Sequence, residues 1–543
     1  MNILPITASC NVKKNFTNKH QTFSGNPFAK RDLPLVFHET KKLADKFMKG
    51  TSGCRGKYGK ELTLDHLKML GLGFAATISS QCTKPTVMLG GDKRLGTKEA
   101  MPMLTSLYRK MGVSVISPNT DAIPTPIHSY TCMAKGINGT LLTASHNPWT
   151  DVGMNFVTKD GTIAPTEVNQ NYANRMLEFH KKGYYRENLV DGELTKVDMF
   201  PQYEKFMTET ADIDWDMIRK SGISIHYDGL HGAGTEFVER LFAEKEIPLN
   251  IVNSTIKEGP NPTDANLPEL KTAIKADKKP FKIGLANDGD ADRFGLVDEN
   301  GTFIHPNEVL LLLAHHLKYN KGRGGAIVKS HATTDLLSVF AENNGLQTIQ
   351  TPVGFKYLGE EVLDAQKAKK PVLLAGEESG GMTFGEYLPE KDGIVAISLL
   401  AELVAKEQKP ISKILANVKS DLGVASYSDN ISKTISDSDK FAKIQENVSD
   451  LYAAAISGKK TIFDNYGLEL NIPATIAHAQ NIEHYKKGGD GVKFIFGEKS
   501  SLLIRKSGTE PKSRGTIEAI EKNAPEAKNI FEKLNAVFTE IMQ

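Results

Sequence analysis

At 543 residues the chain exceeds what one hydrophobic core serves, and roughly 100–200 residues per domain imply about three to five domains. The 67 Lys+Arg against 65 Asp+Glu leave a formal net charge of +2, so no single-sign field argues for nucleic acid or a membrane surface as a partner. The best apolar run, Val309 to Ala314, is far short of the ~20 residues that span a bilayer, and Cys10, Cys54, Cys82 and Cys132 show neither CxxC nor zinc-ligand spacing, which predicts reduced thiols and a cytoplasmic protein.

Residues 1–44 are rich in Asn, Thr, Ser and Lys and lack a basic start followed by an apolar stretch; a poorly ordered extension is expected there rather than a targeting peptide. From about residue 45, short apolar strand candidates alternate with longer amphipathic segments, the pattern of parallel α/β layers. Strands are predicted at Thr86–Leu89, Val113–Ile116, Thr140–Thr143, Ile223–Tyr227, Ile283–Ala286, Ala326–Val328 and Val372–Ala375. Helices are predicted at Leu62–Ser79 and Val309–Leu317, where apolar residues recur at three and four. Composition shifts place boundaries near 220, 305 and 425, dividing the chain into 45–219, 220–305, 306–425 and a smaller α+β domain over 426–543 that ends in a helix at Ala524–Met542. Three strand, turn and helix groups look like repeats of one unit, with TASHNP, ANDGDAD and AGEESGG directly after the strand. Ligands in α/β domains sit in such loops.

Four loops carry residues suited to chemistry. Ser145-His146-Asn147-Pro148 presents a hydroxyl beside an imidazole; it is not a GxSxG elbow, and an ST-turn capping a helix is the plain alternative. In Asp288-Gly289-Asp290-Ala291-Asp292-Arg293, carboxylates at every second position can converge on a hard cation such as Mg2+, and Arg293 adds a fork suited to phosphate. An EF-hand is the competing reading, but its sixth position should be glycine and is Arg293. Glu377 and Ser379 in GEESGG, preceded by Gly354 and Lys356 in TPVGFK, suit vicinal sugar hydroxyls, or form an ordinary exposed turn. Finally, RKSGTEPKSR, with Arg505, Ser507, Gly508, Thr509 and Arg514, makes a phosphate cradle or a solvated basic turn.

In this order and at these separations, the four loops closely resemble the alpha-D-phosphohexomutase superfamily, which includes phosphoglucomutases and phosphomannomutases. The resemblance runs from about residue 48 to the C-terminus and extends to Gly50-Thr51-Ser52-Gly53-Cys54-Arg55-Gly56, with weaker matches at GGDKR (90–94), DGLHGAG (228–234) and PEKDG (389–393). It implies three tandem α/β/α domains followed by a TATA-binding-protein-like α+β domain. It further implies a mutase interconverting hexose 1-phosphate and hexose 6-phosphate, glucose before mannose, through phosphoserine at Ser145 and a 1,6-bisphosphate intermediate. Ser145, through its phosphate, and Asp288, Asp290 and Asp292 would hold Mg2+; Arg55, His146 and Arg293 would line the reacting end. Glu377 and Ser379, with Gly354 and Lys356, would bind the sugar, and Arg505, Ser507, Gly508, Thr509 and Arg514 the non-reacting phosphate. Hexose 1,6-bisphosphate would be the activator and small sugar phosphates the partners.

One position departs from the family pattern. Asn155 stands where a lysine is usual, and a carboxamide supplies neither positive charge nor a base. A catalytically impaired sugar-phosphate-binding relative is the alternative this raises; Lys159 and Lys356 are the candidates to compensate.

Overall fold

The computed structural model describes residues 33–49, 53–183, 190–435, 437–484, 491–506 and 512–543. They form two compact units, one of residues up to Ile304 together with Tyr387–Gln408, the other of His305–Glu386 with Lys409–Gln543.

The first unit holds two sheets. Strands β1 (Cys54–Lys57), β2 (Thr86–Gly91), β3 (Ser114–Pro118), β4 (Asn138–Leu142), β5 (Asp151–Val157) and β6 (Leu194–Val197) lie in the order β1-β5-β4-β2-β3-β6. The β6-β3-β2-β4 portion is parallel and β5 returns antiparallel to β4, with β1 antiparallel to β5. Strands β7 (Ser224–Asp228), β8 (Leu249–Val252), β9 (Lys282–Asn287), β10 (Phe294–Val297) and β11 (Phe303–Ile304) repeat the plan, with β7, β8 and β9 parallel and β10 antiparallel to β9.

The second unit holds β12 (Ala326–Ser330), β13 (Thr348–Thr351), β14 (Val372–Glu377) and β15 (Gly381–Thr383), again parallel but for the last strand. Its other sheet, β16 (Ala425–Thr434), β17 (Gly491–Phe496), β18 (Ser500–Lys506) and β19 (Lys512–Glu521), is antiparallel and packs against the helix Ala524–Ile541. The expected class, three α/β/α layers and a C-terminal α+β domain, is the class observed.

The burial pattern explains the strands. Residues in β4, β7, β9 and β14 are nearly all buried, as strands covered on both faces must be. Helix starts are set locally. At Leu64–Gln81 the Thr63 hydroxyl accepts from His66 N while His66 Nδ1 accepts from Thr63 N, a histidine version of the capping box.

Several expectations need correction. The TASHNP, ANDGDAD and GEESGG loops join β4 to β5, β9 to β10 and β14 to β15; each is strand, loop and antiparallel strand, not strand, turn and helix. The return strands are three to seven residues long, too short for their periodicity to announce them. Helix Phe37–Lys49 begins inside the segment expected to be an extension, because Leu43, Ala44 and Phe47 bury an apolar face in the first core; residues 1–32 lie outside the described residues. The first sheet ends at Val197, and helices Phe200–Ala211 and Trp215–Ser221 carry Phe200 and Trp215 against Phe237 and Phe242 of the second layer, so the expected boundary near 220 falls late. Helix Gly393–Glu407, sequentially in the third domain, packs on β9 and β10. Its cap Asp392 accepts from Ile394 N and Val395 N and from the hydroxyls of Tyr203 and Tyr387, each at 2.7 Å.

Candidate active site

In the first unit, two hairpin loops meet. The β4–β5 loop gives Ser145 a left-handed φ of +50° and the β9–β10 loop does the same at Ala291, φ +58°. Such values are uncommon for residues with a Cβ and mark a conformation that the surroundings enforce. Asp288 Oδ1 closes its own loop by accepting from Asp292 N and Arg293 N, both at 3.1 Å. That turns Asp288, Asp290 and Asp292 to one side, with carboxylate oxygens all within 4.8 Å of one another. Ser145 Oγ donates to Asp288 Oδ2 at 2.9 Å and lies 3.3 Å from His146 Nδ1. The hydroxyl and the acidic trio foreseen from sequence therefore share one place.

Around them, Thr125 Oγ1 donates to Asp290 Oδ2 at 2.8 Å, and Thr143 Oγ1 lies 3.1 Å from the same oxygen. Lys391 Nζ is 2.9 Å from Asp292 Oδ2, and Arg293 Nε is 3.9 Å from Asp288 Oδ2. Asp290 Oδ1 and Asp292 Oδ1 are buried with no hydrogen-bond partner, as are Arg55 Nε and Arg293 Nε. Burial first, then the neighbouring carboxylates, push the Asp288 carboxyl well above its usual range, and burial with Asp290 raises Asp292. Asp288 and Asp292 are therefore held where added positive charge would favour their ionised forms. Orphaned carboxylate oxygens beside acceptors of this hardness fit Mg2+. His146 is held well below its usual value by Arg293 first, then by burial, Arg55, Lys391 and Arg94. Burial likewise lowers Arg55, so buried cations face an acidic cluster here.

Asn155 lies on β5 with its side chain buried and Oδ1 unpartnered. A Cβ at Gly53 would come within 2.1 Å of that oxygen, so the carboxamide points at the strand carrying Arg55. Lys159 is exposed, and Lys356, which rests 4.9 Å from the Tyr357 ring, belongs to the second unit. The lysine found at the carboxylates is Lys391, part of the PEKDG motif, to which the sequence assigned no role.

The second unit carries the remaining expected residues. Gly354 has φ +128° and caps helix Phe355–Lys367. Glu377 ends β14, buried, and accepts from Ser379 Oγ at 3.2 Å. Glu378 turns away, its Oε2 accepting from Ser330 Oγ and Thr333 Oγ1. Arg505 and Arg514 stand directly opposite each other on β18 and β19. Ser507, Gly508 and Thr509 lie outside the described residues.

Residues 46–181, 201–301 and 305–420 match the profiles of phosphoglucomutase/phosphomannomutase alpha/beta/alpha domains I, II and III. The chain is 27% identical over 495 residues to a phosphoglucomutase/phosphomannomutase of Thermococcus kodakarensis, covering 89% of this chain and 96% of the relative. It is also 27% identical over 487 residues to a phosphoglucosamine mutase of Bacillus subtilis, covering 87% and 94%. The fold matches the open form of pp63/parafusin, a phosphoglucomutase of Paramecium, with a TM-score of 0.72 at 22% identity over 91% of this chain and 94% of that one. With a hydroxyl-bearing loop set against a buried acidic trio and the three domain profiles in order, the chain belongs to the alpha-D-phosphohexomutase superfamily, whose members are isomerases working by phosphoryl transfer.

Proposed function

We propose that this chain interconverts hexose 1-phosphate and hexose 6-phosphate, with glucose as the preferred sugar and mannose accepted, through a phosphoserine at Ser145. The observation that carries the reading is the 2.9 Å approach of Ser145 Oγ to Asp288 within a cluster retaining two unpartnered carboxylate oxygens. Phosphoserine 145 gives its phosphoryl group to the free hydroxyl of the bound monophosphate. The hydroxyl oxygen forms the new P–O bond and loses its proton, while the bond to Ser145 Oγ breaks. The resulting 1,6-bisphosphate reverses its orientation, and the other phosphoryl group returns to Ser145.

Asp288, Asp290 and Asp292 would hold Mg2+, with the Ser145 phosphate completing the set; when bound, the ion neutralises charge on the phosphoryl oxygens. Arg55, Arg293 and Lys391 orient the same oxygens, and His146, 3.3 Å from Ser145 Oγ, takes the hydroxyl proton once the bound phosphate offsets the cations that otherwise keep its imidazole neutral. We assign Glu377 and Ser379, with Gly354 and Lys356, to the sugar hydroxyls. Arg505, Ser507, Gly508, Thr509 and Arg514 take the non-reacting phosphate, a reading supported by Arg505 and Arg514 standing directly opposite each other on β18 and β19. The relatives named phosphoglucosamine mutase make the 2-amino sugar the competing substrate.

The test is a panel of glucose, mannose and glucosamine 1-phosphates with Mg2+ and a trace of the matching 1,6-bisphosphate as activator. Glucose 6-phosphate should form fastest, and Ser145→Ala should abolish turnover. Preference for the glucosamine ester refutes the sugar assignment; turnover surviving in Ser145→Ala refutes the phosphoserine.

A further inference from the structure

Arg94 is fully buried, its side chain 0% exposed, yet no chemistry described so far uses it. Its Nε donates to Asp92 Oδ2 at 2.9 Å. Its two terminal nitrogens donate to four main-chain carbonyls, those of Ser145, Asn147 (2.8 Å), Pro148 and Asp151 (3.2 Å). One guanidinium thus gathers the backbone of the whole 145–151 loop, and the Trp149 ring closes over it at 5.0 Å. Asp92 is fixed in turn: its Oδ2 also accepts from Thr143 Oγ1 at 2.7 Å, and its Oδ1 accepts from Thr97 Oγ1 and Arg94 N. Thr143 Oγ1 accepts from Ser145 N at 2.8 Å and lies beside Asp290.

We propose that Arg94 is a positioning residue for phosphoryl transfer, acting through the loop backbone to hold Ser145 Oγ against the acidic trio. The reading rests on the role assigned to Ser145 above. Two physical points support it. A serine at φ +50° does not hold that conformation unaided, and the bond from Arg94 to its carbonyl is made in that conformation. In a trans peptide the carbonyl and the following N–H point in opposite directions, so drawing the Ser145 carbonyl to Arg94 sends the His146 N–H the other way. A flat fork with five donors is required: a lysine ammonium has three, radiating from one point, and cannot span four carbonyls while paired to Asp92.

Arg94→Lys keeps the charge and loses the fork. In the mutase assay with glucose 1-phosphate, kcat should fall about 100-fold, the scale expected of a misplacement of about 1 Å, while KM stays within about threefold. Labelling of Ser145 by glucose 1,6-bisphosphate should slow in parallel. Asp92→Asn, which weakens the grip on the fork without changing shape, should show a milder form of the same split and carries the test if Arg94→Lys does not fold. A kcat within threefold of the parent in both variants, or a rise in KM matching the loss of kcat, overturns the proposal. If the unaltered chain turns over no hexose phosphate, or Ser145→Ala remains active, the proposed function falls separately. Hydrogen exchange across residues 145–151 then decides the matter, since exchange unchanged by Arg94→Lys would mean the fork does not hold the loop.

Discussion

Replacing Asp335 by alanine is expected to cost the second unit about 4 kcal/mol. Asp335 follows β12 and accepts from Lys329 Nζ at 2.8 Å and Lys493 Nζ at 2.7 Å, with none of the three side chains more than 7% exposed. Burial alone would raise its carboxyl, but the two ammonium groups overcome this and hold it far below the usual range. Glu518 closes the group by accepting from Asp335 N and Thr334 Oγ1, and burial first, then Asp335, push its own carboxyl up. Without Asp335 two buried ammonium groups are left with the single carboxylate of Glu518, and such uncompensated charge costs about 3–5 kcal/mol. Lys493→Met should cost less than that range. It leaves the Lys329–Asp335 pair intact, and Glu518, already shifted upward, takes a proton to restore neutrality. Because a chain of several domains does not unfold in two states, the measurement is hydrogen exchange of β17, β18 and β19 under increasing urea. An Asp335→Ala loss below about 1 kcal/mol, within the range of ordinary surface changes, or a larger loss in Lys493→Met, would refute this electrostatic account.

The same region predicts an acid response. His478 is held at about 4, mainly by burial, and His331 at about 2 by burial and Lys493, against a usual 6.5. Both are neutral when folded and gain protons on unfolding, so their contribution is complete above pH 6.5 and is lost as pH falls, by up to about 1.4 kcal/mol per unit each. Glu518 works in the opposite sense but is one group against two, and His478→Gln should flatten the slope of a denaturation midpoint plotted against pH between about 4 and 6.5. Mg2+ should raise the thermal midpoint of the chain, and Asp290→Ala should remove that rise. Lys391→Met frees an Asp292 oxygen from its ammonium partner, so titration calorimetry should show Mg2+ bound at least as tightly while turnover drops about 100-fold or more. Gly393→Ala would place a Cβ 2.4 Å from Arg293 O and 2.5 Å from Asn287 Nδ2, overpacking expected to cost about 1–3 kcal/mol and to lower activity through the displaced metal loop.

Much of the fold was legible because its strands announce themselves locally. Doubly covered strands read as apolar runs, and each predicted strand from Thr86–Leu89 to Val372–Ala375 overlaps an observed one. The antiparallel return strands were not legible: β10 and β15 are four and three residues long, too short for a periodicity of their own, and β5, although seven residues, follows its loop with no turn signal between. Nor was the placement of helix Gly393–Glu407 on the preceding domain's sheet, which depends on Asp392 meeting Tyr203 across 189 residues of chain.

For the site, the sequence alone settled which chemical groups are present: acidic side chains at alternate positions, a hydroxyl beside an imidazole, and arginines in the flanking loops, all properties of neighbouring residues. Only the tertiary structure decided which of them meet. Ser145 reaches Asp288 across 143 residues, Lys391 answers Asp292, and Arg94 draws four carbonyls inward. None of these contacts is local, because each is set by how loops on separate strands are brought together when apolar faces are buried, and a spacing along the chain does not encode that distance.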